Sequence, residues 1–380
     1  MTQIAAGQSL VRHELTHPDG RTFYVYGALR GTLANQPADR ELTALHLRFD
    51  AVTQTWVAIS PARNSRPVGP DADTTCPLCP GGPELPFDYD SAVFDNRFPA
   101  LSNDASASSD YGTATSAGRC QVVVYTSEHN GSLSSLGPEL IARVVAIWRD
   151  RTTALWAQGH QYVMAFENHG VEVGATLPHP HGQVYAFGHV PPTVRIKTDA
   201  LTARRHDLGT CLNCDLVLDD DTSERIICHN DTFTVAVPFA ARWPYEVSVR
   251  ARRHGLGRLS DMTNGEAIDL ARAVSEVVTR YDGLFGFELP YMMCVQEAPS
   301  NEPDWHLHIE FLPPHRNANT LKVRASVETV LGVFINDTLP ERSAQRLASV
   351  GVPTTSWHEV AVPAVITAQT AGSTAIQEKG

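Results

Sequence analysis

No stretch of this sequence is apolar for long enough to span a bilayer. Its start, MTQIAAGQSLVRHE, lacks the basic residues and apolar run that mark a secretory signal. The expectation is a cytoplasmic protein with no membrane partner. Positive charge is scarce as well, with 30 Lys and Arg against 42 Asp and Glu and a formal charge of −12. Counterion release needs clustered Lys and Arg, so this balance argues against a broad nucleic-acid-binding face and leaves room only for a local basic pocket. Cysteine is sparse, seven residues in 380, yet four of the seven form the pairs Cys76-Pro-Leu-Cys79 and Cys211-Leu-Asn-Cys214. Where thiols stay reduced, such pairs point to metal before disulfide. Cys120, Cys228 and Cys294 lie in apolar strand-like runs and read as core residues.

The length suits two domains, or one domain doubled. Strand-like runs RTFYVYG and ALHLRFDAVTQTWVAIS lead into an arginine-bearing loop, SPARNSRPVG. Ser102 to Gly118 is small, polar and without period, the composition of a mobile surface loop. Then come a strand, CQVVVYT, His129, and a stretch from Pro138 to Gln158. In that stretch Ile141, Val144, Val145, Trp148 and Leu155 recur at helical spacing behind a first-turn proline. The strand YVMAFEN and the run Thr176 to Val184, TLPHPHGQV, follow. From Cys211 the same order returns: cysteine pair, strand YEVSVRA, His254, a helix from about Gly265 to Arg280, strand YMMCVQE, then DWHLHIEF. The separation from His129 to His179 is about that from His254 to His306, so an internal duplication is the economical explanation. The fold class expected is α+β, two lobes of mainly antiparallel sheet with helices on the outer face. Residues 1–195 and 196–362 form the halves, and 363–380 form a flexible tail.

A structural zinc site takes four ligands in a tetrahedron, commonly two Cys and two His. The first half offers Cys76, Cys79, His129 and His179; the second offers Cys211, Cys214, His254 and His306. Matching ligands in matching order make coincidental packing a poor account of them. A redox dithiol is disfavoured, because neither pair has the strand-then-helix setting that such motifs occupy. Two nucleic-acid-binding zinc modules are disfavoured too, because DADTTCPLCPGGPELPFDYD and CLNCDLVLDDDTSE are acidic. With His179 given to metal, His181 lies two residues on along an extended segment, on the same face. Ligation of His179 would fix the strand that presents His181, as a nucleophile requires. Pro180 stiffens this stretch, and Gly182 lets a ligand approach the backbone.

FENHG, PHPHGQ, SPARNSRP, VFDNRFPAL, the Cys-x-x-Cys pair and PPHRNANTLKVRASVE together resemble the galactose-1-phosphate uridylyltransferase family of the histidine-triad superfamily. The likeness runs in order from about Trp56 to Glu328. It implies a duplicated histidine-triad-like fold. It also implies exchange of UMP between UDP-glucose and galactose 1-phosphate, in two steps through a uridylylated histidine that by position is His181. Gln183 stands where hydrolytic members of the superfamily place a third histidine. An amide can bond a phosphoryl oxygen but cannot deliver a proton as imidazolium can, which favours transfer between phosphates over release of an amine or alcohol. The resemblance further implies that Asn168 and Thr176 bond the phosphates and that Asn96 contacts the nucleoside. By the same likeness Lys322 and Glu328 hold the sugar phosphate. Arg63 and Arg66 would reach the phosphates from a neighbouring subunit, and so a homodimer with shared sites is expected.

Five positions depart from the family pattern. Lys197, Gln296 and Glu310 replace ligands of a second-half iron-type site, so zinc on Cys211, Cys214, His254 and His306 is expected there instead. His308 then occupies the place of His181, either as a decayed site kept for packing or with a role shared with Glu310. Arg97 replaces an acidic residue found in some members beside the nucleoside. Val327 lies where a tyrosine often stands beside the sugar, which leaves the hexose open. The alternative reading is a nucleotide-sugar or dinucleoside-polyphosphate phosphorylase, in which inorganic phosphate attacks the same nucleotidyl-histidine.

Overall fold

The computed structural model describes residues 9–17, 19–31, 45–65, 76–105, 112–300, 302–353, 357 and 360–368. The first half contains β1 (Leu10–Thr16), β2 (Thr22–Arg30), β3 (His46–Asp50), β4 (Thr55–Ile59), β5 (Asp88–Asp95), β6 (Thr113–Thr115), β7 (Gly118–Val124), α1 (Pro138–Ala157), β8 (Tyr162–His169) and β9 (His181–Phe187). The second contains α2 (Pro192–Leu208), α3 (Leu212–Thr222), β10 (Ile226–His229), β11 (Phe233–Ala236), β12 (Val247–Ala251), α4 (Asn264–Phe285), β13 (Tyr291–Gln296) and β14 (His308–Leu312). After it come β15 (His315–Asn317), β16 (Thr320–Leu321), α5 (Ser326–Leu331), α6 (Pro340–Ser349) and β17 (Val365–Thr367).

Twelve strands form one sheet in the order β10-β11-β12-β14-β13-β8-β9-β7-β5-β2-β1-β17. The two halves meet inside it, where β8 and β13 pair antiparallel from Tyr291↔His169 to Gln296↔Met164. The lobes are therefore two ends of a continuous sheet. The duplication is visible in its centre, because β8-β9-β7 and β13-β14-β12 run outward from that junction in the same order.

Helices α1 and α4 cover one face. Their buried residues, Ile141, Val144, Trp148, Leu270, Val274 and Val278 among them, fill one core with Val163, Ala165, Val184, Ala186, Val247 and Val249. Thr263 caps α4 by accepting from the Glu266 N–H while the Glu266 carboxylate takes the Thr263 N–H, a reciprocal cap. The helix outruns its expected end at Arg280 and stops at Gly286, whose φ of 80° is left-handed. Strand alternation places Gly182, Val184 and Ala186 on the helix face, which leaves His181, Gln183 and Tyr185 on the other.

Helices α2 and α3 are additions to the sequence reading. Only Val194 and Leu201 of α2 are buried, so its charged sequence carries no apolar stripe to read. The span from Ser102 to Gly118, expected to be a mobile loop, is partly built in: Ser102 and Ser116 are buried, and β6 pairs with β3. Its residues 106–111 lie outside the described residues. The tail expected from 363 begins instead as β17, which adds a parallel strand to β1 from Leu10↔Val365 to Arg12↔Thr367. Residues 369–380 lie outside the described ones. Among the described residues no helix is long and apolar enough to cross a membrane.

Candidate active site and metal centres

Both expected ligand sets assemble. Cys76, Cys79, His129 and His179 bring four donor atoms within 4.8 Å of one another, and so do Cys211, Cys214, His254 and His306. Tetrahedral zinc with bonds of about 2.3 Å to sulfur and 2.0 Å to nitrogen holds S and N about 3.5 Å apart. In the first group Cys79 Sγ lies 3.2 Å from His129 Nδ1 and 3.6 Å from His179 Nδ1, and Cys76 Sγ is 3.9 Å from His179 Nδ1. In the second, His306 Nε2 is 3.6 Å from Cys211 Sγ and 3.5 Å from Cys214 Sγ, and His254 Nδ1 is 3.7 Å from Cys214 Sγ. The donor sets therefore fit a tetrahedral cation.

The outer nitrogens are fixed in the way ligating histidines require. His179 Nε2 is 2.8 Å from the Thr126 carbonyl, and His306 Nδ1 is 2.7 Å from that of Ala251. Burial pushes both imidazoles down to about 4, which keeps them in the neutral, ligating form. Cys211 caps α3, and so the second pair opens a helix after all. Burial and Cys211 nevertheless push the Cys214 thiol up to about 11, the opposite of an activated redox dithiol.

His181 opens β9 directly after this anchor. Its Nδ1 lies 2.8 Å from the carbonyl of His179, so the Nδ1 proton donates there and the lone pair is left on Nε2. Burial lowers its pKa, and the ring is neutral near pH 7. His181 lines two chambers, which share Thr176 and Leu177 in their walls. The larger, about 1010 Å³, is lined by Asn168, Thr176 and His181 together with Glu167, His169, Glu288 and His315. The smaller, about 110 Å³, is lined by Asn96, Arg97, Phe98, Thr176, His181 and Gln183 over an apolar floor of Leu78, Phe94 and Val122. His181 thus stands in the wall of both chambers, and each combines apolar surface with a few polar side chains.

The other expected contacts divide. Asn96 Oδ1 accepts from the Phe98 N–H at 2.8 Å, a turn that shapes the small chamber. Arg63, in a 3-10 turn at Pro61–Ser65, donates to the Phe98 carbonyl at 3.2 Å and lies 3.5 Å from Tyr185 Oη, beside the chambers but not in their lining. Arg66 lies outside the described residues. Lys322 and Glu328 do not line either chamber within this chain; they form a 2.7 Å ion pair with each other.

In the second half His308 repeats the His181 tautomer, with Nδ1 2.8 Å from the His306 carbonyl. Its Nε2 takes the Lys197 ammonium at 3.1 Å, and Glu310 takes it at 2.7 Å. Gln296 donates to Glu310 at 3.2 Å and accepts from Tyr162 at 2.7 Å. Burial and Lys197 hold His308 down at about 4, and against its burial Glu310 sits far below the usual carboxylate range through His308 and Lys197. Where His181 faces a cavity, its counterpart is capped by an internal cation.

The sequence reading missed Tyr125, Glu167 and His315. The signal for Glu167 was its place beside Asn168 in FENHG, and for His315 the proline pair before it in PPHRN.

Comparison with known proteins points to one family. Models of the N-terminal and C-terminal domains of galactose-1-phosphate uridyl transferase match residues 35–191 and 197–361. The galactose-1-phosphate uridylyltransferase of Thermotoga maritima is 40% identical over 318 residues, 81% of this chain and 99% of that protein. That of Streptomyces lividans is 31% identical over 370 residues, 92% of this chain and 97% of that protein. Among solved structures, a uridylyltransferase matches with TM-score 0.73 and 30% identity over 80% of this chain and 98% of that one. An ADP-glucose phosphorylase from Arabidopsis thaliana matches with TM-score 0.63 and 24% identity, over 80% of this chain and 98% of that one, a likeness of fold alone.

Proposed function

The chain belongs to the galactose-1-phosphate uridylyltransferase family, and from that premise we propose that it exchanges UMP between UDP-glucose and galactose 1-phosphate through uridylyl-His181. The observation that carries the mechanism is the Nδ1 contact of His181 with the His179 carbonyl. It commits one nitrogen and leaves Nε2 as the nucleophile.

Nε2 attacks the α-phosphorus of UDP-glucose in line. The Nε2–P bond forms as the P–O bond to glucose 1-phosphate breaks, and the leaving phosphate takes the electron pair. The ring gains positive charge, which strengthens the Nδ1–H hydrogen bond to the His179 carbonyl. A phosphate oxygen of galactose 1-phosphate then attacks the same phosphorus, the P–N bond breaks, and UDP-galactose leaves. No proton need be delivered, because both leaving groups are already stable. Gln183, Asn168 and Thr176 supply neutral donors to the phosphoryl oxygens, and the small chamber with Asn96 holds the nucleoside.

Two Cys and two His suit zinc, and each group would hold one ion as a structural tie. Bound to Cys76, Cys79, His129 and His179, zinc would tie the cysteine turn to His179, whose carbonyl orients His181. Free thiols throughout the described residues suit a reducing compartment and a cytoplasmic enzyme. Two copies share their sites in this reading. Arg63, Arg66, Lys322 and Glu328 serve the partner's cleft. The exposed Val323, Val330, Leu331, Val333 and Ile335 around the Lys322–Glu328 pair supply an apolar surface to be covered.

Replacing His181 with Asn should abolish labelling by UDP-glucose while leaving the fold intact, as read by intact mass and circular dichroism. Discharge of the wild-type adduct by galactose 1-phosphate supports the transferase; discharge by inorganic phosphate alone supports a phosphorylase and overturns the proposal.

A further inference from the structure

Behind the nucleophile strand, on its helix face, lies a cluster that the two-step chemistry does not use. Tyr125 follows β7 and touches both neighbours of His181. Its N–H donates to the Pro180 carbonyl at 3.1 Å, and its hydroxyl fills the space under Gly182, where an added Cβ would come within 2.2 Å of Oη. The Tyr125 hydroxyl in turn meets Glu167 Oε2 at 3.1 Å, and Tyr291 Oη meets Oε1 at 3.3 Å. Glu167 is buried on β8, beside Asn168, and Trp148 packs edge-on against Tyr125.

We infer that Glu167 is a positioning residue for the uridylyl transfer: through Tyr125 it fixes the backbone on both sides of His181, and it does so as the uncharged carboxylic acid. The inference rests on His181 as the nucleophile. Among the described residues no charged partner stands at hydrogen-bond distance from the Glu167 carboxyl. Tyr125 from the end of β7 and Tyr291 from β13 are neutral hydroxyls. His169, on Glu167's own strand, is 3.7 Å away, stacked on Tyr291, and burial lowers its pKa. Asp282 of α4, Glu288 after it and Glu172 lie around His169 and are acidic, so they add negative charge to the neighbourhood. Burial pushes the Glu167 carboxyl up to about 8. Both tyrosine hydroxyls donate to it, Tyr125 at Oε2 and Tyr291 at Oε1, and a protonated carboxyl keeps the acceptor capacity for them. A pyrophosphate entering the large chamber, which Glu167 helps to line, would disfavour the anion further.

The account makes Glu167→Gln close to the working form and Glu167→Leu a loss of the clamp. Rapid-quench uridylylation of the full-length protein by UDP-glucose, followed from about pH 6 to 9.5, is the test. Misplacing a nucleophile by an ångström costs up to about 100-fold, so E167L should slow adduct formation about 10- to 100-fold with KM little changed. Tyr125→Phe, which removes only the hydroxyl link, should slow it about 3- to 10-fold on the same reasoning. E167Q should stay within about threefold of wild type and lose the fall in rate that wild type shows as pH rises through about 8. Wild-type rates in both E167L and Y125F overturn the inference, as does an E167Q as slow as E167L, which would mean the anion is needed. A wild type that takes no label sinks the nucleophile and this inference together.

Discussion

At the scale of single residues, the site depends on close approaches that one added atom would spoil. Gly182→Ala would set a Cβ against Tyr125 Oη and the Phe166 carbonyl. Overpacking of this kind costs about 1–3 kcal/mol, read as a lower denaturation midpoint, and Y125F in the same chain should recover part of it. Glu167 gives stability a pH dependence of known sign. Its folded carboxyl, raised from 4.5 to about 8 by burial, holds its proton more tightly than the unfolded chain does. The stability it contributes is full below the unfolded value and is lost as pH rises through the folded one. Urea midpoints of E167Q should therefore decline less than those of wild type between about pH 5 and 9. The two groups of cysteine and histidine were legible because the Cys-x-x-Cys and His-x-His spacings are local and recur in the same order in both halves. Glu167 was not, because what makes it a clamp is Tyr125 and Tyr291, 42 and 124 positions away.

At the scale of elements, two ties act on strands whose other face fills the hydrophobic core. The first ligand group joins the Cys76–Cys79 turn to the start of β9, so stripping the metal should loosen the segment that presents His181. Metal analysis should give two ions per chain, one for each group. Cys76→Ser should lose one ion, about 3 kcal/mol or more of stability, and most of the uridylylation rate. The second tie is Lys197 of α2 against His308 and Glu310 of β14. Lys197→Met removes the charged donor of both hydrogen bonds and should cost about 1.5–3 kcal/mol in chemical denaturation. It should leave labelling of His181 unchanged, since the capped His308 does not line the chambers. A fall in labelling would give His308 and Glu310 a functional part. Strands such as β7, β8, β12 and β13 and the periodic helices α1 and α4 were readable from alternation and spacing, whereas β1, β10 and β11 were not singled out. Helix α2 was not, because its buried face is only Val194 and Leu201, and β17 was not, because backbone pairing with β1 holds it.

At the scale of the whole molecule, the duplication was readable from the repeated order of motifs, but the single sheet was not. Nothing in YVMAFEN or YMMCVQE says that β8 must pair with β13 rather than close its own half. The apolar surface from Val323 to Ile335 makes a prediction of assembly. Val330 and Leu331 are 77% and 70% exposed, so Val330→Asp should shift sedimentation toward the monomer and lower turnover together. Lost turnover with an unchanged dimer would mean that the segment acts within its own chain. All of these effects converge on one bond. The most direct measurement is the intact mass of the protein after incubation with UDP-glucose alone. The account predicts one uridylyl adduct per chain, absent from His181→Asn and discharged by galactose 1-phosphate as UDP-galactose. A wild-type mass that does not change, with turnover still present, would contradict it, because exchange would then proceed without a covalent histidine.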